Sequence, residues 1–264
     1  MFITRLISGI VLVAIALITI ITGGPVLLFT LMAISVIGMQ ELYKAMKLHI
    51  RSFGVLEITG YLCAAAYYVL MTLDFEKYGF MGVMLSLIVL MSVYVFTYPK
   101  YEASQVMTAF FGILYVAVML SFIYLTRELS DGKLAVWLIF LCSWGCDTCA
   151  YCVGVLFGKH KMAPVLSPKK SIEGAVGGVA GASLLGGIYA AVFHSTVWEY
   201  ALICAVGALI SMVGDLAASA IKRNQGIKDY GKLIPGHGGI LDRFDSVIFT
   251  APVIYFLART ILGA

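Results

Sequence analysis

The stretch with the highest density of reactive side chains is IPGHGGILDRFDS, residues 234–246. It holds two aspartates, an arginine and a histidine in a chain that is 61% hydrophobic and only 12% charged. A soluble domain averages about 25% charged residues, so acids and bases gathered in so apolar a chain indicate a site. Asp242 and Asp245 are three residues apart, and they share one face if a helix begins near Leu241.

A third acid, Asp215, lies inside the apolar run SMVGDLAASAIKR. A charged residue at the centre of a membrane span costs about 2.5–3.5 kcal/mol on insertion scales, and such a residue is read as functional by default. Ser219 and Lys222 follow at i+4 and i+7 on the same helical stripe, and Arg223 comes next. This order of acid, hydroxyl and cation suits a lipid phosphate at the interface. Helix packing by the acid and snorkelling of the two cations are the alternatives.

Asp215, Asp242 and Asp245 together predict an all-oxygen cluster. Mg²⁺ is usually held through one or two carboxylates, with water and phosphate completing its shell. Zinc would require cysteine or histidine pairs, whereas the six cysteines lie in apolar runs and are interpreted as small packing residues. Gly238 and Gly239 let backbone N–H groups approach an anion closely. Four nearby residues add cationic character: Lys228, Lys232, His237 and Arg243. The combination predicts a metal–polyphosphate site, with a merely solvated loop as the alternative.

Two further segments carry polar residues of the same kind. Asp147 lies in the apolar run SWGCDTCAYCVG, where a helix-packing hydrogen bond is the alternative to a role in the site. The loop 157–173 contains Lys169 and Lys170, which we place at a helix start that would favour phosphate. A plain basic loop at the membrane surface would have the same composition.

The elements that carry these residues are predicted to be membrane helices, because a span needs roughly 20 mostly apolar residues. The sequence favours an all-α, polytopic integral membrane protein of about nine transmembrane helices. The first apolar run is expected to be retained, since no small-x-small cleavage site follows it. The predicted spans are 4–22, 25–40, 55–73, 80–97, 106–126, 134–156, 174–193, 199–221 and 246–262.

Charge distribution predicts the orientation of the helices. With the N-terminus in the cytoplasm, most of the 18 lysines and arginines fall on the cytoplasmic side, as the positive-inside rule requires. We therefore expect a multi-pass protein of the cytoplasmic membrane with its active site on the cytoplasmic side. Residues 1–130 are expected to form an N-terminal scaffold or dimer part, and residues 131–264 the helices that carry the site.

The segment 219–245, SAIKRNQGIKDYGKLIPGHGGILDRFD, resembles the signature of the phosphatidate cytidylyltransferase family, also called CDP-diacylglycerol synthases. Upstream, 147–154 and 167–174 (SPKKSIEG) are similar to two further motifs of that family, whereas 1–130 carries only a compatible hydrophobic pattern. The signature residues in 219–245 are Ser219, Lys222, Arg223, Lys228, Asp229, His237, Gly238, Gly239, Asp242, Arg243 and Asp245.

The resemblance implies transfer of CMP from CTP to phosphatidic acid, which yields CDP-diacylglycerol and pyrophosphate. Members are polytopic, dimeric and Mg²⁺-dependent, some with a second metal ion, so we expect membrane lipid and a second copy as partners and no nucleic acid. The metal ligands would be Asp215, Asp242 and Asp245, which with Lys222 and His237 form the catalytic set. The substrate-binding set would be Ser219, Arg223, Lys228, Asp229, Gly238, Gly239, Arg243, Asp147, Lys169 and Lys170.

The alternatives are two other kinds of enzyme and, from a different class, a transporter. A CDP-alcohol phosphotransferase would need an arginine in its Asp-Gly motif, and DGKLAV at 131–136 lacks it. Another CTP-dependent lipid kinase or transferase, such as a polyprenol kinase, differs in whether phosphate or CMP is transferred. A membrane transporter would place its acids near the bilayer midplane around broken or repeated helices, whereas the acids here gather beside basic loops.

Overall fold

The computed structural model describes residues 2–48 and 54–263, and in these ranges the chain is almost entirely helical. Eight helical segments are long and apolar enough to cross a membrane. The prediction of an all-α polytopic protein is confirmed. The first of the nine predicted spans corresponds to α1 (Phe2–Thr22), a helix of 21 residues, of which only Ile7–Thr22 enters that count, as a shorter apolar helix. The number of nine spans stays a prediction.

The helices follow one another with short connections, and three of the spans contain a π-helical segment. The elements are α1 (Phe2–Thr22), α2 (Gly24–Ala45), α3 (Val55–Leu73), α4 (Phe75–Phe96), α5 (Ala103–Gly112), π1 (Ile113–Val118), α6 (Met119–Glu128), α7 (Gly132–Phe140), π2 (Leu141–Gly145), α8 (Cys146–Phe157), β1 (Lys161–Ala163), β2 (Ser167–Ser171), α9 (Ile172–Val192), α10 (Val197–Asn224), α11 (Leu241–Leu257) and π3 (Ala258–Leu262).

The second span is longer than predicted. Hydropathy ended it at residue 40, whereas α2 continues to Ala45 and carries Glu41 and Tyr43 as buried residues. The helix continues because its polar groups are satisfied inside the protein. Tyr43 donates to the carbonyl of Ala109 at 2.7 Å, and Glu41 accepts two backbone N–H bonds.

The basic loop predicted at 157–173 contains a short antiparallel hairpin of β1 and β2. Lys169 and Lys170 lie in β2, so their predicted position at a helix start is wrong. The next helix, α9, begins at Ile172, and Ser171 caps it by accepting the N–H of Gly174 at 3.1 Å. Ser171 is still in extended geometry, so the helix begins only at Ile172 and both lysines lie in the strand before it.

The chain divides into two compact units. Unit 1 comprises Met1–Ser121 and Ile227–Asp242, and unit 2 comprises Phe122–Gly226 and Arg243–Ala264. The loop that precedes α11 is thus grouped with the N-terminal helices. The expectation that residues 1–130 form a scaffold or dimer part and residues 131–264 carry the site remains a prediction about function.

Unit 1 is held together by buried hydroxyl groups between apolar helices. Ser35 of α2 and Tyr68 of α3 lie 2.9 Å apart through their hydroxyl oxygens. Tyr67 and Ser121 make a second such pair at 3.2 Å. A hydroxyl in an apolar interior is costly unless it is hydrogen-bonded. Each pair therefore favours one position of its helix along the axis of the neighbouring helix.

Unit 2 is built on close approach between helices at glycine. A Cβ at Gly207 of α10 would lie 2.5 Å from the Cys142 sulfur, and one at Gly178 of α9 would lie 3.0 Å from the Cys146 sulfur. Small residues allow membrane helices to pack backbone against backbone. These contacts support the interpretation of the buried cysteines as packing residues.

Candidate active site

The acid predicted at the centre of the site, Asp215, lies on α10 with about a quarter of its side chain exposed. Lys170 of β2 forms an ion pair with its Oδ2 atom. Ser219, one turn further along α10, donates to Oδ1 at 3.5 Å. The hairpin therefore brings one of the two lysines of β2 to this acid, while the other, Lys169, is exposed.

A second acid–lysine pair lies in the same unit. Lys222 of α10 and Asp245 of α11 are 3.8 Å apart through Nζ and Oδ2, with side chains only 10% and 13% exposed. Asp245 also accepts the N–H of Ser246 through Oδ1 at 2.8 Å. The two helices approach closely here, because a Cβ at Gly214 would lie 3.0 Å from the carbonyl oxygen of Asp245.

Asp147 of α8 belongs to the same electrostatic group. It interacts with Asp215, Lys170 and Arg243, and Asp245 interacts with Asp215, Lys222 and Asp147. Three carboxylates and three cations of unit 2 thus lie within range of one another. We call this set the acid–lysine cluster: Asp147, Asp215, Asp245, Lys170, Lys222 and Arg243. Three negative and three positive formal charges balance in this set, whose members are buried or partly buried.

Arg243 is anchored through its backbone. The indole N–H of Trp144 donates to the Arg243 carbonyl at 3.4 Å, and the Trp144 and Phe244 rings meet edge-on at 6.4 Å. The buried Nε of Arg243 has no hydrogen-bond partner among the described residues. A buried donor of this kind is costly to leave unsatisfied, which marks Arg243 as a group suited to an anionic ligand.

The carboxylates of the acid–lysine cluster supply oxygen donors of the hard type that Mg²⁺ prefers. Within 2–48 and 54–263, no three histidine, cysteine, aspartate or glutamate side chains are grouped so as to hold a metal ion directly. The donor chemistry fits Mg²⁺ with water and phosphate as further ligands, and the ligand assignment stays a prediction.

Unit 1 contains the glycine-rich loop of the signature, and Glu41 of α2 fastens it. Glu41 is 8% exposed. Its Oε1 accepts the N–H of Ile240 at 3.0 Å, and its Oε2 accepts the N–H of Leu241 at 2.9 Å. The N–H groups at a helix start have no partner within the helix, so Glu41 satisfies two of them at the beginning of α11.

Asp242, in the first turn of α11, closes the loop from the other side. Its Oδ2 accepts the N–H of Tyr230 at 2.8 Å and the N–H of Gly239 at 2.9 Å. The predicted start of this helix near Leu241 is confirmed, so Asp242 and Asp245 are one turn apart on α11. Asp242 as a metal ligand remains a prediction, and its Oδ2 already has a role in folding the loop.

Two glycines of the loop are required by the closeness of Glu41. A Cβ at Gly231 would lie 2.2 Å from Oε1, and a Cβ at Gly239 would lie 2.4 Å from Oε2. Gly238 has φ +91°, in the region that favours glycine. The N–H groups of His237 and Gly239 already donate within unit 1. The predicted binding of an anion by this loop therefore depends on its other backbone N–H groups and on its side chains.

His237 is held by the first helix. Its Nδ1 lies 2.8 Å from the hydroxyl of Ser8, which also donates to the Pro235 carbonyl at 3.1 Å. The backbone of the loop is closed by bonds from Ile234 N to Gly238 O and from His237 N to Ile234 O, each 2.9 Å. The ring position is therefore set by both the loop and α1.

Three other predicted substrate-binding residues lie on the surface. Arg223 is near the end of α10, and Lys228 and Asp229 are in the loop that follows. All three are exposed. Their positions are compatible with contact to a soluble substrate, and their roles stay predictions.

Sequence reasoning missed two residues that shape the site, Glu41 and Ser8. An acid at the end of an apolar span was a usable signal, because acids in membrane helices are read as functional by default. The predicted end of that span at residue 40 placed Glu41 outside it. Ser8 gave no signal, since a serine in a membrane helix usually bonds to its own helix backbone.

Comparison with known proteins identifies relatives along nearly the whole chain. A family model described as the cytidylyltransferase family matches residues 3–261. Relatives named phosphatidate cytidylyltransferase include one from Staphylococcus epidermidis, 34% identical over 259 residues, which cover 96% of this chain and 97% of the relative. One from Staphylococcus aureus is 32% identical over 260 residues, with the same coverage of both chains. The chain belongs to the cytidylyltransferase family.

Proposed function

We propose that the protein transfers CMP from CTP to phosphatidic acid, forming CDP-diacylglycerol and pyrophosphate. The observation that carries the proposal is the acid–lysine cluster, in which Lys170 of the hairpin pairs with Asp215 of α10, and Lys222 of α10 pairs with Asp245 of α11. The names of the relatives support the same activity.

In this reaction a phosphate oxygen of phosphatidic acid forms a bond to the α-phosphorus of CTP. The bond from that phosphorus to the bridging oxygen of pyrophosphate breaks, and pyrophosphate leaves with the electron pair. Both reactants are anions, so the catalytic problem is positioning and charge stabilisation. A strong base is not needed, because a phosphate monoester is already largely ionised near neutral pH.

The lysines of the cluster are suited to this task because each is paired with a carboxylate. We propose that Lys170 and Lys222 turn from Asp215 and Asp245 to substrate phosphates when an anionic substrate binds. Arg243, with its buried Nε, would hold a further phosphate oxygen. Exposed Arg223, Lys228 and Lys169 would meet the triphosphate first, because cations on the surface attract it over a distance.

Mg²⁺ would be held by Asp215 and Asp245, with water and phosphate as further ligands, and when bound it would neutralise charge on the triphosphate and on the leaving pyrophosphate. Asp242 is a further ligand that the family resemblance implies. Ser219, whose hydroxyl lies beside Asp215, would accept or donate a hydrogen bond next to this carboxylate. Asp147 contributes negative charge nearby. Asp229, Gly238 and Gly239 are assigned to the substrate by the family signature.

The location of the site is also part of the proposal. The concentration of lysine and arginine in the loops that carry the signature supports a cytoplasmic-side site in the cell membrane. Residues 1–130 would serve as scaffold and dimer surface, with a homodimer inferred from the family resemblance. Ultracentrifugation in detergent tests the oligomeric state, and a purely monomeric active enzyme would contradict it.

The deciding experiment supplies purified protein in detergent with phosphatidic acid, Mg²⁺ and CTP labelled at the α- or the γ-phosphorus. Label from the α-position is expected in a lipid product, with pyrophosphate released. Lipid labelled from the γ-position would instead indicate a CTP-dependent kinase. Absence of any CTP consumption by folded protein would contradict enzymatic transfer and leave transport as the surviving alternative.

A further inference from the structure

We infer that Glu173 is a positioning residue that closes the base of the β1–β2 hairpin and thereby decides which of two adjacent lysines, Lys169 or Lys170, faces Asp215. The consequence of this inference for turnover rests on the proposed function. The geometry of the hairpin does not, and it can be measured separately.

Glu173 lies in the first turn of α9, and its carboxylate reaches back to the chain that enters the hairpin. Its Oε2 accepts the N–H of Lys159 at 3.0 Å and the N–H of His160 at 3.2 Å. Its Oε1 lies 3.2 Å from the same His160 nitrogen and 2.5 Å from Nδ1 of the His160 ring. One side chain thus joins the start of α9 to the segment before β1.

The two ends of the hairpin meet at this point. The N–H of Ile172 donates to the carbonyl of His160 at 2.9 Å, and Lys161 is paired with Ser171 in the sheet. A Cβ at Gly158 would lie 2.7 Å from the Ser171 hydroxyl oxygen, so the chain passes close to β2 as soon as it leaves α8. Beyond this base the pairing of the strands is irregular. The bonds at the base therefore hold the register of the hairpin.

The register matters because the two lysines are neighbours in β2. Successive side chains of a strand point to opposite faces, and here Lys169 is exposed whereas Lys170 pairs with Asp215. A slip of one residue would exchange the two faces. A two-stranded hairpin is marginally stable at best by itself, and these strands have only three and five residues. The bonds of Glu173 supply a constraint that the strands alone lack.

The backbone bonds carry this constraint, rather than the contact with the histidine ring. The His160 side chain is 75% exposed, and an ion pair in contact with water contributes little. The N–H groups of Lys159 and His160 belong to the chain itself, so a carboxylate that accepts both of them fixes the course of the backbone into β1.

Two substitutions separate the reach of Glu173 from its charge. Glu173→Asp keeps a negative charge at the start of α9, where an acid is favourable, but its side chain is one methylene shorter and does not reach both N–H groups. Glu173→Gln loses the charge and keeps a carbonyl oxygen at full length, and a single oxygen, Oε2, already accepts both N–H groups. Positioning predicts a change in the aspartate variant and none in the glutamine variant, whereas a purely electrostatic role predicts the reverse.

The first measurement is the rate at which acetic anhydride labels Lys170 in the purified full chain, without added CTP or phosphatidic acid. In the wild-type protein this side chain is paired and 24% exposed, so its labelling should be slow relative to that of exposed Lys169. Glu173→Asp is expected to raise the Lys170 rate about five- to tenfold, the scale of the hydrogen bonds that are lost. Glu173→Gln should stay near the wild-type rate. An unchanged Lys170 rate in Glu173→Asp, or a rise in Glu173→Gln alone, would overturn the inference.

His160→Ala is the matched control, because it removes the ring and leaves the backbone N–H of residue 160 in place. The labelling of Lys170 should stay near the wild-type rate in this variant. The same rise as in Glu173→Asp would show that the ring holds the hairpin, and would contradict positioning through the backbone.

In the kinetic arm, Glu173→Asp should raise the same KM that Lys170→Ala raises, by about fivefold, with little change in kcat. In a Lys170→Ala background it should cost little more, since the lysine that it positions is gone. A full additional loss in that background would show that Glu173 acts by another route and would contradict the inference. If the wild-type protein transfers no CMP at all, the proposed function fails, whereas the labelling rates still decide whether Glu173 positions Lys170.

Discussion

The buried acids of the two units are used in different ways. In unit 1, Glu41 and Asp242 bind backbone N–H groups, two each. In unit 2, Asp215 and Asp245 face the ammonium groups of Lys170 and Lys222. The first kind of contact folds a loop, and the second kind leaves charges that a ligand can compete for.

Physical reasons support this distinction. A backbone N–H cannot leave its carboxylate without moving the chain, and an unsatisfied buried N–H is costly. A lysine ends in a compact charge on a flexible stem and changes partner by rotating its side chain. Glu41 is therefore expected to affect stability and loop order, whereas Asp215 and Asp245 should affect substrate binding and turnover. Asp242 binds backbone and is also a proposed metal ligand, so its loss should affect both.

The largest expected effect comes from Asp215→Asn. It removes the charge that balances Lys170 and deletes a proposed metal ligand, so CDP-diacylglycerol formation should fall by about 10³-fold, the scale seen when a charge-stabilising group is lost from an active site. Product formation in detergent, with the detergent-extracted yield as a measure of folding, checks it. Asp74→Asn is the control, because Asp74 caps α4 and an asparagine caps equally well. Full turnover by Asp215→Asn would end the assignment of this acid to the site.

A smaller loss is expected for Glu41→Gln. Glutamine offers one acceptor oxygen where Glu41 offers two, so its NH₂ group would face a backbone N–H of Ile240 or Leu241. A buried donor left without an acceptor costs about 1–3 kcal/mol, and turnover should fall about 10- to 100-fold as the ordered loop becomes less populated. Hydrogen exchange in 227–242 should accelerate in parallel.

Glu57→Gln is the matched control for Glu41. Glu57 is equally buried in unit 1 and accepts the N–H of Gly54 at the start of α3, where glutamine serves as well as glutamate. Its turnover should stay near the wild-type value. Equal losses in the two variants would show that the effect reflects stability of unit 1 in general.

The contrast between the units also shows what the sequence could predict. Long apolar runs predicted the helices well. Asp215 was recognised because an acid in such a run is conspicuous, and Asp245 because it lies three residues after Asp242 in a polar stretch. The pairing of these acids with Lys170 and Lys222 was not predictable, because it depends on the hairpin of β1 and β2, whose strands are too short and polar to show a periodic pattern. The π segments at 113–118 and 141–145 likewise have no apolar pattern that differs from an α-helix.

In unit 1 the limit was distance along the chain. Glu41 lies about 200 residues before the N–H groups it binds, and Ser8 lies 229 residues before His237. The sequence around Glu41 or Ser8 does not indicate which distant residues they contact. The glycines of the signature were read as places where an anion approaches, whereas the close neighbour of Gly231 and Gly239 is the Glu41 carboxylate.

Lys170→Ala is expected to have a moderate effect that is specific to substrate. Removal of the cation beside Asp215 should raise the KM for one of the two anionic substrates about tenfold, the scale of a charge-assisted hydrogen bond, with a smaller change in kcat. Lys161→Ala is the matched control, because that lysine of β1 lies in the same hairpin, has the same charge and is exposed. Identical KM values for the two variants would indicate that the hairpin is only a basic loop at the membrane surface, without a specific contact to substrate.

The smallest effect is expected at Ser171, a signature residue of unit 2 that binds backbone as the acids of unit 1 do. Its hydroxyl accepts the N–H of Gly174 and caps α9. Ser171→Ala should cost about 1 kcal/mol of stability, as the loss of a helix cap does, and lower the thermal midpoint in detergent while kcat stays within about threefold of wild type. Ser171→Thr should recover the midpoint, since threonine caps nearly as well. A large loss of kcat at an unchanged midpoint would show that backbone-binding residues also act on substrate, and the division between the two kinds of contact would then fail.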